Sequence, residues 1–226
     1  MALSPLFPFS ERAHALHGEL DRFVRERVLP AEIEFDTHIE QPGQRWTIPP
    51  IIEALKTEAK QRGLWNLFLP DPHHGAGLSN LDYAPLAELS GQSLIAPETI
   101  NCNAPDTGNM EVLHHYGSPE QQTRWLKPLL AGRTRSAFAM TEPEVASSDA
   151  TNIATRIERD GDHYVVTGRK WWITGAMDPR LDFFIVMGVT NPEAEPHRRH
   201  SQIIVPTSTP RVSRPPETET EPAPVR

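Results

Sequence analysis

The stretch FAMTEPEVASSDATNI, residues 138–153, decides the fold class of this sequence, because a short apolar strand ends there in a proline-containing turn. The turn clusters hydroxyl side chains and free backbone amides. Such a loop can hold a planar polar ring edge and a diphosphate through N–H and O–H donors. A Ser/Thr turn with an Asx cap explains the same residues without a ligand. On these residues alone, that simpler interpretation is favoured.

A second segment, GRKWWITGA at residues 168–176, places two tryptophans side by side. We predict a strand over residues 171–174, in which neighbouring side chains point to opposite faces. One tryptophan would then be core, and the other would offer a flat aromatic wall beside the hydroxyl of Thr174. Two tryptophans that only pack are the alternative, and these residues alone favour it.

Around these two segments the pattern is that of short strands. Residues 153–158 alternate apolar and polar side chains, and Asp160-Gly161 is a strong turn signal before residues 164–167, so we predict a hairpin. The further predicted strands cover residues 136–140, 171–174, 183–189 and 202–205. We predict that these strands form a small antiparallel β-barrel or sandwich.

Before residue 135 the apolar period is that of helices. The predicted helices cover residues 10–39, a segment from Ile48 to Gly63, and residues 81–94, 107–116 and 119–130. Pro30 is expected to kink or end the first helix, because proline cannot donate to the helical ladder. Ser118 and Gln121 form a capping-box pattern. The fold class is therefore α+β, with helices first and strands second.

The predicted domains are an all-α helical domain at residues 1–134 and a β-domain at residues 135–206. After Pro206 the sequence is mostly Thr, Ser, Pro, Glu and Arg, and six of the 23 prolines lie there or at Pro206 itself. Such a stretch buries too little surface to offset its ordering entropy. We predict that residues 207–226 are a disordered or aberrant tail, or that the chain ends before its domain does.

Composition excludes several classes of protein. The chain has 226 residues, a net charge of −8 and a single cysteine, Cys102. A disulfide framework and a cysteine zinc cluster are excluded, and no surface for nucleic acid is indicated. The longest apolar run, residues 183–187, is too short to span a membrane. The first residues lack the basic region of a signal peptide, so a cytoplasmic location is expected.

Other reactive side chains have simpler explanations. The pairs His73-His74 and His114-His115 are interpreted as solvated or capping histidines, since adjacent helical residues point in different directions and are poorly placed to share an ion. Cys102 is interpreted as a buried neutral thiol rather than a nucleophile. No metal site is predicted.

The segments at residues 138–153 and 168–176, with YGSPEQQTRWLKPLLAG at residues 116–132, resemble the acyl-CoA dehydrogenase family in order and spacing. The resemblance covers residues 10–206. It implies a helical N-terminal domain and a middle β-domain. It also implies an FAD-dependent oxidoreductase that removes two hydrogens from the α and β carbons of an acyl-CoA thioester, as in fatty-acid β-oxidation.

The resemblance also implies the residues that bind FAD, by motif position. They are Phe138, Ala139, Met140, Thr141, Ser147, Ser148, Trp172, Ile173 and Thr174. Residues 138–141 would line the flavin largely through backbone groups. The hydroxyls of Thr141 and Thr174 would bond its polar edge, where hydrogen bonds favour the reduced, anionic form. Trp172 would cover one flavin face.

The substrate side of the site is implied by a single serine. Ser148 would lie near the FAD diphosphate and the CoA moiety, with Ser147 beside it. The family loop has the pattern T-E-P-x-x-G-S-D, whereas this chain has Ala146 at the glycine and one extra serine before Asp149. The choice between Ser147 and Ser148 stays open. Glu142 and Asp149 are expected to hold the shape of the loop.

In the family, a C-terminal helical bundle supplies the carboxylate that removes the α-proton and the oligomer contacts that complete the FAD site. No residue of this chain matches that base, so no catalytic residue is predicted and a homo-oligomer is in doubt. A truncated family member that passes electrons to electron-transfer flavoprotein is the first hypothesis. A non-catalytic acyl-CoA- or flavin-binding remnant and an acyl-CoA oxidase are the alternatives.

Overall fold

The computed structural model describes residues 8–214. The chain forms two compact units, which divide between Thr134 and Arg135. Their helices and strands follow the predicted order, helices first. Among the described helices, none combines the length and the apolar character that a membrane crossing requires.

The first unit begins with one continuous helical segment. It consists of α1 (Glu11–Phe23), a π-helical turn (Val24–Val28) and α2 (Leu29–Ile39). Ser10 caps α1 by accepting a hydrogen bond from the N–H of Ala13. The expectation that Pro30 kinks or ends this helix is wrong in its second part. Proline sits in the first turn of α2, directly after the π-helical turn, so the chain stays helical through it.

The remaining helices of this unit match the predicted segments, except for the short α5, which was not predicted. They are α3 (Pro50–Gln61), α4 (Asn80–Ser90), α5 (Ala96–Thr99), α6 (Asp106–Tyr116), α7 (Pro119–Gln121) and α8 (Lys127–Leu130). The capping box of Ser118 and Gln121 is present at the start of α7, as predicted.

The core of the helical unit is apolar and continuous. Its largest fully buried members on helices include Leu20, Phe23, Ile52, Leu55, Leu86 and Leu89. Residues between the helices complete it, among them Leu64, Leu67 and Ile100. Burial of such side chains contributes about 1.5–3 kcal/mol each, which is why periodicity locates these helices well.

The second unit is built on one five-stranded sheet. The strands are β1 (Arg135–Ala139), β2 (Arg156–Asp160), β3 (His163–Thr167), β4 (Leu181–Val189) and β5 (His200–Pro206). The order is β1-β4-β2-β3, and β5 also pairs with β4. The predicted hairpin is present, with Gly161 at a positive φ of 63° in its turn.

The sheet is mixed, so the prediction of an antiparallel sheet is wrong for two pairs. Strands β2 and β3 are antiparallel, as are β4 and β5, but β1 runs parallel to β4 with Ala137 opposite Phe184, and β2 meets β4 in parallel at Arg156 and Val189. A parallel pair needs a long crossover. Here the hairpin and the loops between β1 and β4 provide it. The predicted class, a helical region followed by a small β-domain, is confirmed.

The described part of the predicted tail is structured. Thr207 donates its N–H to Asp182 O at 2.9 Å, Val212 packs against the small core of this unit, and Arg214 Nη1 donates to Ala176 O at 3.0 Å. These contacts correct the expectation that ordered chain ends at residue 206. Residues 215–226 lie outside the described residues.

Candidate functional site

The candidate site is carried by the loop that follows β1. The apolar alternation of β1 buries Ala137 and Ala139 in the small core of this unit, which positions the loop at the end of the strand. Phe138 lies opposite Ile185 of β4 and is half-buried, as are Met140 and Thr141. The strand therefore delivers residues 138–141 to the edge of the sheet with part of their surface accessible.

Glu142 fixes the shape of this loop from inside. Its side chain is buried, with 4 % of its surface exposed. Oε2 accepts the N–H of Ala154 at 2.8 Å, and Oε1 accepts the N–H of Thr155 at 2.9 Å. These bonds join the two ends of the loop that follows β1, which confirms that Glu142 holds the shape of this loop.

Lys170 completes the buried group. Its Nζ donates to Glu142 Oε1 at 2.9 Å and to the carbonyls of Met140 and Met187, both at 2.8 Å, so all three ammonium donors are used. Burial raises the pKa of Glu142, but donors from Thr155, Lys170 and Ala154 outweigh it and lower the pKa to about 2. The pair is therefore ionised, and it joins the loop after β1 to strand β4.

The structure separates the two serines between which the sequence motif did not choose. Ser147 is buried, and its hydroxyl accepts the N–H of Glu142 at 2.8 Å. Ser148 is exposed. Asp149 accepts the N–H of Thr151 and caps a short 3₁₀ turn, Ala150–Asn152, so it too holds the shape of the loop.

Thr141 ties this loop to the tryptophan segment. The N–H of Trp171 donates to Thr141 O at 3.1 Å, and the Thr141 hydroxyl donates to Trp171 O at 2.6 Å. The hydroxyl proton of Thr141 is thereby engaged, and its lone pairs remain available as acceptors.

The tryptophan segment is a turn, so the predicted strand over residues 171–174 is wrong. Trp172 has a positive φ of 53°, a conformation that ends an extended strand and is unusual for a bulky side chain. The expectation that one tryptophan is core is also wrong, because Trp171 is 45 % exposed and Trp172 is 83 % exposed. Ile173 packs against the small core instead and anchors the turn.

The turn ends with polar and flexible residues. Thr174 is exposed, and Gly175 follows with a positive φ of 82°, which glycine adopts without steric cost. An exposed aromatic face, a hydroxyl and backbone amides thus occur within three residues. This arrangement can hold a flat, polar-edged ring.

Lys170 is the residue of this region that sequence reasoning missed. It precedes the two tryptophans directly, but a lysine in that position is usually solvated. Its partial burial follows from carbonyls and a carboxylate that two distant segments contribute, the loop after β1 and strand β4. The sequence offered one signal for this pair: Glu142 and Lys170 each lie next to apolar residues in one of the two conspicuous segments.

Cys102 is partly buried against the core of the helical unit, where full burial was predicted. Burial of the thiol raises the pKa of Cys102 to about 11, so the thiol is neutral near pH 7. Its Sγ lies 3.4 Å from Ile100 O, to which it donates.

Comparisons with known proteins agree on one family. Residues 10–133 match the model of the acyl-CoA dehydrogenase N-terminal domain, and residues 137–223 match that of the middle domain. The second match extends past residue 206, where the sequence pattern placed the end of the β-domain.

Three relatives illustrate the match. "Probable acyl-CoA dehydrogenase FadE2" of Mycobacterium tuberculosis is 54 % identical over 209 residues, 92 % of this chain and 51 % of its own length. Acyl-CoA dehydrogenase family member 11 of Mus musculus is 50 % identical over 93 % of this chain and 27 % of its own length. A solved structure of a candidate acyl-CoA dehydrogenase from Mycobacterium abscessus has a TM-score of 0.86 and 50 % identity, over 90 % of this chain and 52 % of that one. The chain thus spans about half or less of the relatives it matches.

Proposed function

The chain belongs to the acyl-CoA dehydrogenase family, and we propose that it takes part in the FAD-dependent α,β-dehydrogenation of an acyl-CoA thioester. The relatives are named as acyl-CoA dehydrogenases, which are oxidoreductases. Because the chain spans about half or less of their length, the activity of the whole protein is part of this proposal. So are a cytoplasmic location and electron-transfer flavoprotein as the acceptor.

The exposed Trp172 carries the proposal for FAD. A tryptophan with 83 % of its surface exposed and a left-handed backbone conformation has a cost on both counts. A flat ring stacked on this side chain would cover its apolar surface. The neighbouring residues fit such a ring, since Thr174 offers a hydroxyl and the backbone of residues 138–141 and Ile173 offers polar groups for its edge.

FAD, when bound, supplies the acceptor for the two electrons of the oxidation. The chain's own residues bind and orient it. We assign Trp172 to one ring face and the Thr174 hydroxyl to the polar edge. Thr141 contributes backbone groups, and its hydroxyl continues to donate its hydrogen bond to Trp171 O. Hydrogen bonds aimed at the edge where charge develops stabilise the reduced form.

Ser148 is assigned to the diphosphate and CoA side of the site. Its exposure leaves the hydroxyl accessible to a ligand, whereas Ser147 is committed to the N–H of Glu142. Within this proposal, residues 1–134 are the helical domain and residues 135–206 are the core of the flavin-binding domain, with residues 207–214 packed on it.

Flavin uptake followed by acyl-CoA addition tests the proposal. The purified chain is incubated with FAD, freed of excess flavin and mixed anaerobically with acyl-CoA esters. Retention of FAD and bleaching of the flavin absorbance support dehydrogenation. FAD retention without bleaching would reduce the role to flavin binding. Peroxide formed in air would identify an oxidase. A folded, colourless chain that takes up no FAD would contradict the proposal.

A further inference from the structure

Two segments of the helical unit bring metal-binding side chains together. Asp71 and His74 lie in the loop at residues 70–79, and His114 lies in the last turn of α6. One ligand atom from each of the three lies within 4.8 Å of the other two. The structure thus brings together one member of each histidine pair, His74 of His73-His74 and His114 of His114-His115.

The loop holds the Asp71 carboxylate in place. Oδ1 accepts the N–H of His74 at 2.7 Å and the N–H of His73 at 3.0 Å. These two bonds fix the carboxylate so that it offers an oxygen ligand towards the histidines.

His74 has a buried nitrogen that lacks a hydrogen bond. Its Nδ1 lies 3.1 Å from Asp71 Oδ1, but without hydrogen-bonding geometry, and it has no hydrogen-bond partner among the described residues. Buried polar side-chain atoms are hydrogen-bonded in the large majority of cases. A cation between Nδ1 and the carboxylate would satisfy both.

His114 faces the same point from the other segment. The rings of His74 and His114 meet edge to face, with centroids 5.4 Å apart. His114 lies at the C-terminal end of the 11-residue helix α6, where the partial negative charge of the helix favours a cation. The ring of His115 contacts that of His114, with centroids 4.9 Å apart, but His115 is not one of the three converging residues.

We propose that Asp71, His74 and His114 form a binding site for a divalent transition-metal ion of the zinc type. Two imidazole nitrogens and one carboxylate oxygen suit Zn²⁺, whereas Mg²⁺ and Ca²⁺ prefer oxygen ligands throughout. Three protein ligands leave a coordination position for water. The site lies within the helical unit and does not depend on flavin binding.

Zn²⁺ titration of the untagged 226-residue chain by calorimetry tests the proposal. One Zn²⁺ per chain is expected. His74→Gln and His114→Gln should each weaken binding at least about 10-fold, since removal of even an outer-shell partner of a ligand costs 10–100-fold in metal affinity. Co²⁺ bound to the wild type should show the visible absorption of a nitrogen- and oxygen-ligated ion. The same absorption should be weak in both variants.

His163→Gln is the matched control. This histidine lies on the exposed hairpin of the second unit next to Asp162, with which it forms an exposed pair at 2.7 Å. Its variant should bind Zn²⁺ as the wild type does. Asp71→Asn keeps an acceptor for the loop N–H groups and removes the charge. This variant should therefore fold, but its affinity for Zn²⁺ should be at least about 10-fold lower.

Circular dichroism without metal shows whether each variant is folded. If a histidine variant does not fold, the affinity of Asp71→Asn for Zn²⁺ decides whether the proposal holds. Wild-type affinity in a folded His74, His114 or Asp71 variant would overturn the proposal. So would an equal loss in His163→Gln, or no saturable Zn²⁺ binding by the wild type.

Discussion

The loop that contains Glu142 and the turn that contains Trp172 depart from ordinary burial in opposite ways. The loop buries a carboxylate and a serine hydroxyl, and the 12 % exposed Lys170 packs on the carboxylate; all three are hydrogen-bonded to one another or to backbone. The turn exposes two tryptophans, one of them in a left-handed conformation. The first region uses polar chemistry to fix a backbone shape, and the second presents apolar surface that the protein itself leaves uncovered. Substitutions in the loop should therefore affect stability, and those in the turn should affect binding.

Loss of the Lys170 ammonium is expected to have the largest effect. Lys170→Met leaves Glu142 as a buried charge without its counter-ion and removes one donor from each of two carbonyls. Removal of one partner of a buried pair costs about 3–5 kcal/mol. Urea unfolding followed by circular dichroism should show a loss of that size.

Arg169→Met is the neighbouring control. Arg169 pairs with Glu144 at 3.7 Å, and both side chains are more than half exposed, so the change should stay within about 1 kcal/mol. Equal losses in the two variants would show that Lys170 has no special role in the loop.

The second-largest expected effect is the loss, at acid pH, of the contribution of Glu142 to the free energy of unfolding. The pKa of Glu142 is lowered from 4.5 to about 2 in the folded chain. The stability gained is fully present above the unfolded value and is lost as pH falls towards the folded value. At 1.36 kcal/mol per pH unit this is about 3 kcal/mol. Between pH 6 and pH 3, the wild type should lose more unfolding free energy than Glu142→Gln does. Parallel curves would contradict this account.

The third-largest effect is expected from a substitution at Gly168, where the chain is closely packed. A Cβ there would lie 2.7 Å from Thr155 Cβ and still closer to its hydroxyl. Thr155 also donates its N–H to Glu142, so a shift would disturb the loop. Gly168→Ala should cost about 1–3 kcal/mol. Gly18→Ala, in the open surface of α1, should be neutral or stabilising by up to about 1 kcal/mol. A stabilised Gly168 variant would refute the close packing.

Local signals show what the sequence could predict. The helical unit followed from apolar spacing and the capping box at Ser118, and the hairpin of the second unit followed from the turn at Asp160-Gly161. The tryptophan turn did not follow, because a run of four aromatic and β-branched residues has the composition of a strand. It is ended by bonds from Thr141 and by the backbone of Trp172, which depend on residues 30 positions away. The parallel pairing of β1 with β4 was hidden for a related reason, since strand direction is set by the long connection between them.

FAD titration of three chains, with unfolding measured in parallel, tests the central claim most directly. Trp172→Ala should lower FAD affinity about 10-fold, since loss of an aromatic contact costs up to about 1.5 kcal/mol beyond its area. It should change unfolding free energy by no more than about 0.5 kcal/mol, because the side chain is exposed. Trp46→Ala, a half-exposed tryptophan of the helical unit, should alter neither. If Trp172→Ala keeps the wild-type affinity for FAD, Trp172 is not a flavin wall and the account is wrong.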